Sequence, residues 1–195
     1  SQWQAAELVL ILPLMFYGLL FGTVYRWLMK KIKGSLKKLP LPLIGKILLG
    51  AVAIFGVAVF APSLLFSGQH AMHLVVEMGI EMSVFLLFAL SLLKLIFLEI
   101  CLETGWTGGD IFPITFASIL QGFAFAQLLP GYDPLFVVLV VSLSLAVTLL
   151  QKEWLAGIVI SLFFPIKLWP IALLLIFILR WLGTKVKVGE AHAEN

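Results

Sequence analysis

Ten residues, Thr104-Gly105-Trp106-Thr107-Gly108-Gly109-Asp110-Ile111-Phe112-Pro113, interrupt two long apolar segments. Irregular backbone between such segments lies at membrane depth, where it survives only if it is buried in protein or lines a wet cavity. The stretch opens a helix, and Pro113 suits its first turn. A helix start offers free N–H groups and the positive end of the dipole. Gly108 and Gly109 carry no side chain to cover the backbone, so an ion can approach closely. Together these features make a site for an anion that needs no full positive charge. The plainer reading is a tight interhelical turn whose glycines serve packing alone.

Two other groups have chemical potential. His70, His73 and Glu77 fall on one helical face at i, i+3 and i+7, and Glu81 continues it. Imidazole and carboxylate would suit a metal, and His73 would suit a proton shuttle near neutral pH. The alternative is a polar face at the interface or along a vestibule. Glu99 and Glu103 stand four apart, one turn before the glycine loop. Carboxylates inside a membrane are expensive, which makes both candidates for a proton path. Otherwise they occupy a water-facing helix end, partly paired with Lys94. Cys101, the single cysteine, has no disulfide partner and reads as a small packing residue. No nucleophile and base stand at a recognisable spacing, so an enzyme is not expected, and no cofactor or resident metal is assigned.

The elements that position these residues follow from composition. Of 195 residues, 62% are hydrophobic and 12% charged, and mean hydropathy is +1.14. A water-soluble core of this size cannot hide so much apolar surface, which makes lipid the solvent. The apolar runs are continuous, as in Leu86–Leu93 and Leu135–Val141, whereas barrel strands alternate. The expected fold is therefore all-α: a polytopic bundle of tilted, broken and re-entrant helices. Spans are expected from Glu7 to about Met29, Leu43 to Phe60, Glu81 to Glu103, Ile114 to Leu129, Leu135 to Leu150 and Trp154 to Phe164, with a final helix from Pro170 to Leu182. His70 to Ile80 is apolar for about eleven residues, roughly 16 Å as a helix, and reads as re-entrant.

Lys30, Lys31, Lys33, Lys37 and Lys38 read as a basic loop, and Arg180, Lys185 and Lys187 form a second basic group. By the positive-inside rule both face the cytoplasm. The lysines mark topology and lipid headgroups rather than nucleic acid. Gly183–Asn195 reads as a polar, mobile tail.

At the glycine loop the sequence resembles the chloride channel and transporter (CLC) family. That family has a Gly-Gly-Ile-Phe-Ala-Pro-type segment whose backbone amides bind chloride at a helix start. The stretch Gly108-Gly109-Asp110-Ile111-Phe112-Pro113 is similar, and Gly105 matches an earlier glycine of the family's pattern. Leu92-Leu93-Lys94-Leu95 looks like the Lys- or Arg-bearing helix before the loop. Trp154-Leu155-Ala156-Gly157-Ile158 resembles the family's Ala-Pro-Leu-Thr-Gly-Ile helix start. The likeness covers nearly the whole chain as the C-terminal half of a subunit, one half of an inverted repeat.

The resemblance implies a transmembrane half domain over 1–183 with a cytoplasmic tail over 184–195. It implies transport of chloride or a similar anion, as channel or proton-coupled antiporter, in a cell membrane. The amides of Asp110 and Ile111, with Phe112 beside them and Gly108 and Gly109 opening the approach, become the expected ligands. Asp110 departs from the family's apolar residue, since a carboxylate repels an anion. Either it points away and caps the helix start, or it is protonated by desolvation. The family's gating-glutamate motif is missing, and no tyrosine follows Gly183. The resemblance also implies a homodimer joined through roughly 151–182. The chain begins with Ser, and the expectation is a piece of a longer protein that needs an N-terminal half to complete the ion path. A membrane scaffold or partner subunit, or a divalent-cation transporter using His70, His73 and Glu77, stays open beside these.

Overall fold

A computed structural model describes residues 4–62, 65 and 82–193. A 3-10 turn, Ala5–Leu10, leads into α1 (Ile11–Lys37). There follow α2 (Leu43–Phe60), α3 (Val84–Glu103), α4 (Ile111–Leu128), α5 (Pro134–Leu150) and α6 (Glu153–Ser161). A second 3-10 turn, Ile166–Leu168, precedes α7 (Trp169–Ala193). Among the described residues, five stretches are long and apolar enough to cross a membrane: Glu7–Lys37, Leu43–Phe60, Val84–Glu103, Ile111–Leu128 and Ile166–Gly183. The expected all-helical, polytopic class is what the described residues form. His70, His73, Glu77, Glu81 and the re-entrant segment 70–80 lie outside them.

Several boundaries differ from the sequence reading, each for a local reason. The basic loop is not a loop. Lys30, Lys31, Lys33 and Lys37 are on α1, and Lys38 is its C-cap. Lysine is a good helix former, and no proline intervenes before Pro40. The apolar segment read from Ile114 begins three residues earlier, at Ile111, so Pro113 sits inside the first turn, where a missing N–H costs nothing. The last helix does not stop at Leu182 but runs on to Ala193, so the tail assigned from Gly183 is helical. The Trp154–Phe164 segment is shorter, ending at Ser161.

Burial sorts the helices into centre and rim. In α4, 72% of the apolar window is buried, against 6% in α2. α4 packs between α3 and α5, and α1 lies across α5 and α3. Glycines set how closely these helices approach. A Cβ on Gly122 of α4 would stand 2.8 Å from the Val138 carbonyl of α5. On α1, a Cβ at Gly18 would meet Ser144 Cβ at 2.6 Å, and one at Gly22 would meet Thr148 at 2.7 Å. Small residues at such spacing let backbones pack where lipid supplies no hydrophobic drive.

Several polar side chains at these contacts bond within or between helices, while Thr115, Ser118 and the Gln121 amide nitrogen of α4 have no partner among the described residues. Ser144 Oγ donates to the Val140 carbonyl at 2.7 Å, and Thr148 Oγ1 to that of Ser144 at 2.8 Å. Tyr17 Oη donates to Gln121 Oε1 at 2.7 Å, joining α1 to α4. Ser91 Oγ donates to the Ala117 carbonyl at 2.8 Å, joining α3 to α4.

Element ends are equally explicit. Asp133 accepts from the Phe136 amide at 3.0 Å and is followed by Pro134 at the first helical position of α5. Gln151, at φ 55°, ends the same helix in the left-handed region. In detergent, Gly122→Val should lower stability by about 1–3 kcal/mol through overpacking at α5. Gly56→Ala, which meets open space, should be neutral or stabilising by up to about 1 kcal/mol. Thermal unfolding of the two variants checks the contrast, and equal melting temperatures would refute the assigned α4–α5 contact.

Candidate functional site

The candidate loop is built by the way α3 ends. Thr104, its C-cap, donates from Oγ1 to the carbonyls of Ile100 at 2.7 Å and Cys101 at 3.2 Å. Gly105 then adopts φ 93°, a region that favours glycine. Its amide donates to the Leu102 carbonyl at 3.4 Å, and that of Trp106 to the Cys101 carbonyl at 3.0 Å. This pair of bonds is a Schellman reversal, which consumes the last carbonyls of α3 and turns the chain out of the helix. Trp106 Nε1 next donates to the Ile47 carbonyl of α2 at 3.2 Å. Gly50 of α2 makes room for that indole, since a Cβ there would lie 2.6 Å from it.

The chain then enters α4 with its amides bare. Among the described residues, no hydrogen bond reaches the backbone N–H groups of residues 108–112. The next amide, of Ile114, is already engaged with the Asp110 carbonyl at 3.1 Å. A Cβ on Gly108 or on Gly109 would meet nothing within 4 Å. The expectation that Asp110 caps the helix is not met: its backbone is already in the right-handed helical region, at φ −88° and ψ −22°, and its side chain makes no cap bond. Helical backbone at that position carries the carboxylate away from the amides it would have to reach.

Two cavities flank this helix start, and they divide its residues. One, of 550 Å³, is lined by Lys94, Phe97, Cys101, Gly108, Gly109 and Phe112 among others. The other, of 670 Å³, holds Asp110 and Ile114 together with Arg26, Lys30 and Lys33 of α1. The glycines therefore open toward Lys94, and Asp110 faces the opposite side.

Lys94 is the residue the sequence reading undervalued. It is 1% exposed, and its ammonium stands 5.9 Å from the centre of the Phe116 ring, near the outer limit of a cation–π contact. A lone lysine inside the apolar run Leu86–Leu98 was the available signal, because a charge there is costly and defaults to function.

Glu99 and Glu103 are not partnered by Lys94 as anticipated. Lys33 of α1 holds both: its ammonium lies 2.6 Å from Glu103 Oε1 and 4.0 Å from Glu99 Oε1. Residues 33 and 99 are far apart in sequence, so the pair depends on α1 packing against α3. It ties those helix ends together just before the loop. Among the described residues, no three His, Cys, Asp or Glu side chains gather as a metal would require.

Comparison with known proteins agrees with this architecture. The family model described as Voltage gated chloride channel matches residues 1–174. No curated protein and no solved structure matches the chain. With a family match across most of its length and several membrane-crossing helices, the chain is an integral multi-pass membrane protein and belongs to the voltage-gated chloride channel family.

Proposed function

We propose that the start of α4 is an anion site on a transport path, where the amides of residues 108–112 hold a chloride-like ion. The observation that carries this reading is the combination of bare amides and a buried lysine on one cavity. An anion leaving water loses hydration, and a site must return that energy. Aligned amides at a helix start act as about half a positive charge. Lys94 adds a full charge on the same side. At an effective dielectric of about 20, opposite unit charges roughly 5 Å apart attract by about 3 kcal/mol. That is enough to draw the ion in and weak enough to release it, as conduction requires. Asp110 lines the other cavity, which lessens its repulsion. No covalent step is involved.

The path is completed, in this reading, by an N-terminal half that supplies the opposing helix start. The resemblance to the family supports it. A second copy of the subunit would cover α6 and α7, whose Ile158, Leu173 and Phe177 are exposed and apolar. In this reading the basic residues at the end of α1 and near Arg180 face the cytoplasm, which the positive-inside rule favours. Glu99 and Glu103 remain the proton-exchanging candidates for an antiporter, with the added condition that the ion pair to Lys33 must open.

Three measurements on the complete protein in liposomes test these assignments. Gly109→Val places a side chain in open space, so the fold should stand while anion flux falls at least about tenfold, the loss of roughly 1.4 kcal/mol of site stabilisation. Unchanged flux would remove the loop from the path. Lys94→Met should weaken anion binding by roughly 10- to 100-fold, since a bond to a charged group contributes about 1.5–3 kcal/mol; isothermal titration with chloride reads it, and wild-type affinity would exclude Lys94. Glu103→Gln should abolish coupled proton movement while leaving anion flux. If a pH-sensitive dye reports wild-type proton flux, the carboxylates serve the ion pair alone.

A further inference from the structure

The second cavity, of 670 Å³, is the gap between α1 and α3, closed by the start of α4 and the end of α5. Its walls are chemically divided. α1 contributes Arg26, Lys30 and Lys33, spaced along one face. α3 contributes Leu95, Leu98 and Leu102 with the Glu99 carboxylate beside them, α5 contributes Leu149, and Asp110 stands at the α4 end.

The charges on these walls are not all balanced against each other. Lys33 is occupied by Glu103 and Glu99. Arg26 and Lys30 form no ion pair among the described residues, and neither does Asp110. With its amide oxygen turned inward, Gln151 accepts from both Arg26 guanidinium nitrogens at 2.6 and 2.8 Å. That contact fixes the direction of the guanidinium and leaves its charge uncancelled. Two cations and one carboxylate thus face one space without meeting, beside a hydrocarbon wall.

We infer that this cavity binds a phospholipid whose headgroup carries a phosphate and a primary ammonium. The phosphodiester lies between Arg26 and Lys30, and the ammonium reaches Asp110. An acyl chain runs along Leu95, Leu98 and Leu149. Arginine and lysine are the natural partners of phosphate. A carboxylate in the same cavity disfavours a purely anionic headgroup and gives a zwitterion its second contact. Trp27 also lines the cavity, and the Lys31 ammonium stacks over its ring at 3.7 Å, an aromatic and basic pairing typical of the membrane–water boundary where headgroups lie. The apolar wall sets a lipid apart from a free phosphate ester, which has nothing to place there. This inference does not depend on the transport reading, because the glycines and Lys94 line the other cavity.

The test is native mass spectrometry of the complete protein, purified in detergent and supplied with phosphatidylethanolamine, phosphatidylcholine or phosphatidylglycerol. The wild type should retain one more phosphatidylethanolamine per subunit than phosphatidylcholine, whose trimethylated amine cannot donate hydrogen bonds. The double variant R26Q/K30Q should lose that lipid, with retention falling about tenfold. Asp110→Asn should keep phosphate binding but abolish the preference for phosphatidylethanolamine over phosphatidylglycerol. Leu149→Trp fills the acyl channel with all charges intact and should also lose the lipid, which separates the site from any general electrostatic effect. Equal retention of the three lipids by the wild type would overturn the inference. So would full retention by R26Q/K30Q, or complete displacement by millimolar phosphoethanolamine without acyl chains. Anion flux of R26Q/K30Q, measured in parallel, distinguishes loss of the lipid from loss of transport.

Discussion

A backbone amide inside a bilayer has no water to bond, and the organisation of this chain follows from that single constraint. The helices around α4 meet it at their ends. Ser83 caps α3 by accepting from Leu86 at 3.2 Å, and Asp133 caps α5. The carbonyls at the end of α3 are consumed by Thr104 and by the reversal at Gly105. Like the starts of α2 and α6, the start of α4 has no such cap; it comes five residues after that reversal, with its first donors unengaged among the described residues. In the proposed reading, an anion is what meets these N–H groups.

A site made of amides is only as good as the stiffness of the helix that carries them. α4 is the most enclosed of the membrane-crossing helices, with α3 bonded to it through Ser91 and α1 through Tyr17. Phe125 of α4 lies 4.0 Å from the Tyr17 ring, which adds a packed aromatic contact to the hydrogen bond. Gly122 lets α5 come against its backbone. Rigid packing at the core and open backbone at the tip are parts of one arrangement, because a helix start that could shift would relax onto its own side chains and close its donors.

What was legible in the sequence was what local chemistry decides. Pro42 and Pro62 bracket α2, and its limits were read correctly as Leu43 and Phe60. The break after Glu103 was marked by its glycines and confirmed by the left-handed Gly105. The family could be read from the same loop. The errors arose where local signals are ambiguous or long-range packing decides. Lysines 30–38 looked like a loop because charge in a membrane protein suggests one, yet helix propensity carried α1 through them. Asp110 looked like a cap because aspartate before a helix commonly is one, but the helix had already begun in its dihedrals. The partner of Glu103 could not be found by scanning neighbours, since Lys33 comes from another helix. Lys94 was noted as a likeness and as an ion-pair partner, and its burial beside the glycine loop required the tertiary structure.

The bond from the Trp106 indole to the carbonyl of Ile47 has one more implication. α2 sits on the rim with only Gly50 buried, so most of its surface is left to lipid. A helix in that position answers to the thickness of the bilayer by tilting. Because the indole is anchored to it, the glycine loop does not take its position from the protein core alone. Part of its geometry is set by this rim helix, through the Trp106 indole and the close approach of Thr104 to Gly50, so any tilt of α2 is passed toward Gly108 and Gly109 by that seam.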